Sequence, residues 1–233
     1  MSEEVGGRCD KHSRTCRFAR ICPGEATLKF ISRGTSVSPP GGRITHMHLL
    51  HAGILGIFRL WTTGKESVIS LFLPGDIFGL MSSVEDFGPR PWPGPKVHDA
   101  RAVVPTTLCV LCPDTFFSHV GQEPSRVAQV LRMWGRQSMG TFRIVARPRR
   151  QGPEKALAHT LAVLVEKVGI AVPNGTLIPY HLPHNDLADM SGMTRSTATR
   201  AVQCLCRRRL ITMDEKQILI PSVVKLWAMI EEE

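Results

Sequence analysis

The sequence predicts an α+β chain: a small antiparallel β domain, then a long helix, then a helix-turn-helix with a wing. Three observations carry this. Short β-prone runs cut by Gly, Pro or Thr fill residues 26–120. Apolar residues recur at spacings of three and four across 122–147, and a capped pair of short helices fits 184–211.

Composition sets the outer bounds. A chain of 233 residues, 42% hydrophobic and 21% charged, can hold one large or two modest soluble domains. Its net charge of +9 favours a polyanionic partner, without separating nucleic acid from a membrane surface. No run approaches the roughly 18 apolar residues of a membrane span. The start, Met1 to Gly7, lacks the apolar stretch of a signal peptide, so a cytoplasmic location is expected. Seven cysteines are an odd number, which argues against a fully paired disulfide framework. In a reducing compartment such thiols bind metal, sense redox state or lie buried.

Residues 1–24 form an arm poor in large apolar side chains, with Cys9, Cys16 and Cys22 among Arg8, Lys11, Arg14, Arg17 and Arg20. The arm is too polar to fold on its own hydrophobic content, so its order must come from elsewhere. The spacing Cys9-x6-Cys16-x5-Cys22 lacks the close pairs of a zinc finger. His12 is a possible substitute ligand; incidental thiols are the plainer alternative. The surrounding positive charge favours thiolates.

Strands are expected at Met47–His51, Ile54–Trp61, Ser67–Leu73 and Thr107–Leu111, with turns at Ala52-Gly53 and Thr62-Thr63-Gly64-Lys65. Their spacing suggests a small antiparallel barrel or sandwich. Asp86 to Pro95 is a proline-rich loop. The helix over Gln122–Arg147 offers a coiled-coil-like seam of Val127, Val130 or Leu131, Trp134, Thr141 and Ile144 or Val145, broken by Gln137 or Ser138. Packing against its own domain is the alternative. Arg147 to Pro153 reads as a linker, and Glu154–Val168 as a second amphipathic helix with Leu157, Leu161, Leu164 and Val165 on one side.

The helix pair follows. Asp186–Met190 turns Leu187, Ala188 and Met190 to a core, and Gly192 supplies the turn. Thr194 is placed to cap a second helix. Ala198, Ala201, Val202 and Leu205 make its buried stripe; Arg195, Ser196, Thr199, Arg200 and Gln203 fall on the other side. An ordinary amphipathic pair with a solvated face would share the pattern. Ile211–Met213 and Gln217–Ile220 form a hairpin wing about Asp214, and Pro221–Glu233 a last helix carrying Val224, Leu226, Trp227 and Ile230.

In this order the parts resemble the CRP/FNR superfamily of bacterial transcription regulators over residues 26–225. Two stretches carry the likeness, Leu71-Phe-Leu-Pro-Gly-Asp-Ile-Phe-Gly79 and Leu187-Ala-Asp-Met-Ser-Gly-Met-Thr-Arg-Ser-Thr-Ala-Thr-Arg200. The resemblance implies a cyclic-nucleotide-binding-like antiparallel β-roll (25–121) after the arm (1–24). A dimerisation helix (122–147), a hinge (148–153) and a winged helix-turn-helix (154–233) complete it. It implies a homodimer, a double-stranded DNA operator that is near-palindromic with half-sites about one helical turn apart, and RNA polymerase as a further partner. Cyclic nucleotide binding is not expected, because Gly79-Leu80-Met81 lacks the carboxylate of that branch and Arg101 is out of context.

The chain is more similar to the fumarate–nitrate reductase regulator branch, which holds a [4Fe-4S] cluster on three N-terminal cysteines and one from the β-roll. Thr106-Thr-Leu-Cys-Val-Leu-Cys-Pro-Asp-Thr-Phe116 looks like the fourth-cysteine region, with Cys109 at the ligand position and Cys112 where proline is usual. Cys16-x5-Cys22 matches the last two N-terminal ligands, whereas Cys9 stands six residues before Cys16 where two are usual. The implied ligands are Cys9, Cys16, Cys22 and Cys109, with His12 or Cys112 as replacements for Cys9. Oxygen or nitric oxide would then be the signal.

On the DNA face the resemblance makes Arg195, Ser196 and Arg200 base-facing, with Arg200 suited to guanine O6 and N7. Serine stands at 196 where the family usually has glutamate. Thr197, Thr199 and Gln203 are expected phosphate contacts, and Arg207, Arg208 and Arg209 either add to them or end the helix in solvent. Arg209 stands where a helix-ending glycine is common. Cys204 and Cys206 flank Leu205, each about 100° from it, and diverge too far to share a metal. Rival readings are haem on His46, His48, His51 or His98, a structural metal, bare thiol sensing, and an enzyme using Cys112 with His119.

Overall fold

In a computed structural model of the chain, the described residues are 7–8, 16–24, 26–38, 46–60, 62, 64, 66–80, 98–145, 152–214 and 217–231. Strands come first: β1 (Gly7–Arg8), β2 (Thr27–Ile31), β3 (Ser36–Ser38), β4 (Met47–Ala52), β5 (Leu55–Leu60), β6 (Glu66–Phe72), β7 (Ile77–Phe78), β8 (His98–Ala102) and β9 (Thr106–Leu111). They make a five-stranded sheet, β1-β2-β9-β4-β7, and a four-stranded one, β3-β8-β5-β6. Helices α1 (Pro113–Gly121), α2 (Pro124–Val145) and α3 (Pro153–Val168) follow. Then come β10 (Ile170–Val172), β11 (Gly175–Ile178), α4 (His184–Ser191), α5 (Arg195–Arg207), β12 (Thr212–Asp214), β13 (Gln217–Ile220) and α6 (Val223–Glu231). The chain divides into two compact units, residues 1–59 with 72–139, and residues 60–71 with 140–233.

In the first unit β9 lies between β2 and β4, antiparallel to both, with Cys109 opposite Leu28 and Leu49. Met47, His48, Leu49 and Leu50 are successive buried residues, so β4 is covered on both faces and shows no period-two alternation. One core gathers Phe18, Ile21, Met47, Leu49, Ile77, Cys109, Leu111, Phe116 and Met133; a second gathers Leu50, Leu55, Phe78, Ala100 and Leu108. Gly53 turns between β4 and β5 at φ +95°, and a Cβ there would collide with Thr106.

The helix expected over Gln122–Arg147 is observed as α2, beginning at Pro124. Glu123 ends the junction after α1, receiving Arg126 N at 3.0 Å on its carbonyl and the Arg126 guanidinium at 2.6 Å on its carboxylate. Val130 and Met133 turn to the core of this unit. Val127, Leu131 and Trp134 are 38, 60 and 41% exposed, an apolar stripe beside the core-facing one. The side chains of Thr141, Ile144 and Val145 lie outside the described residues, as do the proline-rich loop 86–95 and linker positions 147–151.

In the second unit α3 buries Leu157, Leu161 and Leu164 completely. The wing hairpin β12/β13 extends into a four-stranded sheet, β10-β11-β13-β12, whose first two strands were not expected from the sequence. Ile178, Ile218 and Ile220 supply its buried face.

Candidate nucleic-acid interface and sensor cysteines

Two short helices build the interface. Leu187, Ala188 and Met190 on α4 and Ala198, Ala201, Val202 and Leu205 on α5 are buried, and the alanines let the helices approach closely. Gly192 ends α4 in the left-handed conformation, φ 67° and ψ 37°, and Met193 N closes the turn on Ala188 O at 3.0 Å. Thr194 caps α5, its hydroxyl accepting from Thr197 N at 3.3 Å. Ser191 Oγ donates to Thr160 Oγ1 at 3.1 Å and ties the end of α4 to α3.

The outer face of α5 carries Arg195, Ser196, Arg200 and Gln203, all exposed, with Thr197 and Thr199 half-buried. The first turn of α5 holds no acidic residue, so the positive end of the helix dipole is left for phosphate. Ser196 and Thr197 hydroxyls lie 3.1 and 2.8 Å from Thr194 Oγ1, which gathers the polar groups of the first turn about the cap. Arg207, Arg208 and Arg209 are exposed at the helix end. Arg209 holds φ +57°, a left-handed conformation at a non-glycine residue, with its amide bonded to Cys206 O at 2.9 Å. Cys204 and Cys206 are half-buried, and burial pushes the Cys206 thiol up.

Cys16, Cys22, Cys109 and Cys112 lie in the first unit. Phe18 and Ile21 are fully buried, and Cys22 N bonds Phe18 O at 2.8 Å, so residues 16–22 coil into a turn anchored by these two side chains. Cys16 and Cys22 pack against the core that contains Cys109. Cys109 is fully buried, with its Sγ 3.2 Å from His51 Nε2. The His51 ring meets Phe18 edge-on at 5.1 Å. Burial, and then the nearby Arg17 charge, lower the His51 pKa. Arg17 itself reaches Pro74 O at 3.3 Å. Cys9 and His12 lie outside the described residues. Among the described residues no group of three His, Cys, Asp or Glu is arranged to hold a single metal ion.

Cys112 is exposed at the start of α1, and His119 faces Arg126, whose Nη1 lies 3.4 Å from its Nδ1. His46 is exposed, and the side chain of His98 lies outside the described residues. His48 is buried, its pKa lowered to about 4 by burial, with smaller contributions from His46 and Lys29. The sequence drew no attention to the His51–Cys109 pair, whose members stand 58 residues apart. Only the register of β4 beside β9 brings them together.

Residues 28–122 match the cyclic nucleotide-binding domain, and residues 155–229 match the Crp-like helix-turn-helix domain. The chain belongs to the CRP/FNR family of transcription regulators. Among CRP/FNR relatives, the global nitrogen regulator of Synechococcus elongatus is 23% identical, covering 93% of this chain and 96% of its own. The nitrogen fixation regulation protein FixK of Rhizobium meliloti is 26% identical over 80% of this chain and 78% of its own. The structure of FixK2 from Bradyrhizobium japonicum shares the fold with a TM-score of 0.70 at 16% identity, covering 89% of this chain and 98% of that one. A CRP/FNR regulator is a DNA-binding protein, and no helix among the described residues is long and apolar enough to cross a membrane.

Proposed function

We propose that the chain is a homodimeric, sequence-specific DNA-binding regulator controlled by redox state or a diatomic gas, oxygen or nitric oxide. Control would run through a [4Fe-4S] cluster held by Cys16, Cys22 and Cys109, with Cys9 as the fourth ligand. One observation carries this reading: Cys16 and Cys22, flanking a single turn, pack against the core that contains Cys109. Three thiols gathered at one core, joined by a fourth from the arm, would supply the four cysteine ligands such a cluster takes. Bound there, such a cluster supplies a centre that oxygen or nitric oxide can destroy.

The chain's own residues supply the rest. Phe18 and Ile21 seat the cysteine turn in the core, and Arg17 binds it to Pro74 O. Pro74 belongs to a tight turn in which Asp76 Oδ2 accepts from Leu73 N at 2.8 Å. The next residue, Ile77, is held by Gln137 of α2. A change at the cysteine turn therefore has a contiguous route to the helix that carries the Val127, Leu131 and Trp134 stripe. Members of this family are dimers, and that stripe is the apolar surface on α2 fitted to a second copy. The dimer would then present two α5 helices to successive major grooves. Arg195, Ser196 and Arg200 would read bases and Thr197 and Gln203 would meet phosphates, while the Thr199 hydroxyl already donates to Arg195 O.

A second reading, thiol sensing without metal, is favoured by the 3.2 Å contact of His51 with Cys109. One experiment separates the two. Protein purified without oxygen is expected to be brown, with iron and acid-labile sulfide in near-equal amounts. A Soret band would show haem instead, and colourless, metal-free protein would leave the thiol reading alone.

A further inference from the structure

His184, the first residue of α4, reaches across to the recognition helix: its Nδ1 lies 2.8 Å from Thr199 Oγ1. Thr199 has one hydroxyl proton, and it is given back to Arg195 O at 3.0 Å, one turn earlier on α5. The bond from His184 must therefore be donated by Nδ1–H, which fixes the proton on that nitrogen. On the inner side the helices are held by Leu187, Ala188, Ala198 and Ala201, short or flexible groups that set distance more firmly than rotation. At the outer rim the His184–Thr199 bond opposes rotation of α5 about its own axis. Thr199 precedes Arg200, and the carbonyl it engages belongs to Arg195, so the bond bears on both arginines at once.

We infer that His184 is a positioning residue for the DNA reader, setting the rotation of α5 through Thr199 and thereby the aim of Arg195 and Arg200. The inference rests on α5 being the base-reading helix. A reading site loses precision when its groups move by more than about 10–20°, so the effect falls on discrimination between sequences rather than on general affinity for DNA.

The test uses full-length protein and two duplexes: one that the wild type selects from a randomised pool, and a shuffled duplex of the same composition. Three variants are compared, with thermal unfolding recorded for each. Asparagine carries an amide nitrogen near the Nδ1 position, and glutamine near the Nε2 position. His184→Ala and His184→Gln are expected to lose about three- to tenfold of the preference for the selected duplex, the worth of one ordinary hydrogen bond. His184→Asn keeps it, and affinity for the shuffled duplex stays unchanged in all three. Rescue by glutamine and not asparagine would overturn the inference, because the ring would then touch DNA directly through Nε2. Equal losses on both duplexes, or no loss in any variant, would also overturn it. A wild type that selects no duplex would instead defeat the reading of α5 on which the inference stands.

Discussion

The side-chain amide of Gln137 serves Ile77 as a neighbouring strand would: Ile77 N donates to Oε1 at 3.0 Å, and Nε2 donates to Ile77 O at 3.1 Å. Strand β7 is the last in its sheet, paired on one side only, with Leu49 opposite Ile77. Gln137 thus closes an edge that would otherwise present bare backbone groups. This also accounts for a polar residue that interrupts the apolar pattern of α2. Ile77 is buried, so Gln137→Ala leaves a donor and an acceptor without their partner. A cost of about 1–3 kcal/mol is expected, read as a lower denaturant midpoint at unchanged slope.

Buried His48 sets a pH dependence. Its folded pKa of about 4 lies below the ordinary 6.5, so the unfolded chain takes up a proton that the folded one refuses. The contribution is complete above pH 6.5, falls as pH drops through the window to about 4, and changes no further below it. Its full size is roughly 3 kcal/mol. Unfolding free energies for wild type and His48→Gln between pH 4 and 7.5 should converge toward acid; parallel curves would contradict the assignment.

Arg209 carries a backbone cost. A side chain at φ +57° is strained where glycine is not. Arg209→Gly is expected to stabilise the second unit by about 1 kcal/mol, raising its unfolding temperature. The salt dependence of non-specific DNA binding should fall by at most about one phosphate contact.

How much of this was readable in advance follows from how local each feature is. The α4–α5 pair was legible because every determinant lies within 24 residues: the Gly192 turn, the Thr194 cap and the alanine stripe. Strand β8 was not. His98-Asp-Ala-Arg-Ala102 has no β-branched residue, and it is a strand because β3 and β5 supply its ladder bonds. Helix α1 carries a short signal of its own, proline at its start and Asp114 in its first turn, in the shadow of the strand before it. The pattern of α2 left a seam and packing on its own domain both open; Val127, Leu131 and Trp134 are exposed while Val130 faces the core, and the use of Gln137 was not legible. That role, like His51 beside Cys109, depends on partners 58 to 60 residues away.

Arg200, proposed to read a base, is exposed on the outer face of a capped helix. Arg200→Ala should lose about 1–3 kcal/mol on a selected duplex while keeping most of its salt-dependent affinity for a shuffled one. An equal loss on both would make Arg200 a phosphate contact.

The central claim is that the core holding Cys109 governs the helix that reads DNA. Its most direct test measures affinity for a selected duplex before and after air exposure of anaerobically purified protein, for wild type and for Cys109→Ser. The account predicts a loss of at least about tenfold (near 1.4 kcal/mol) in the wild type on exposure, and no response in Cys109→Ser. Equal affinity in the two states of the wild type, or an undiminished response in Cys109→Ser, would contradict it.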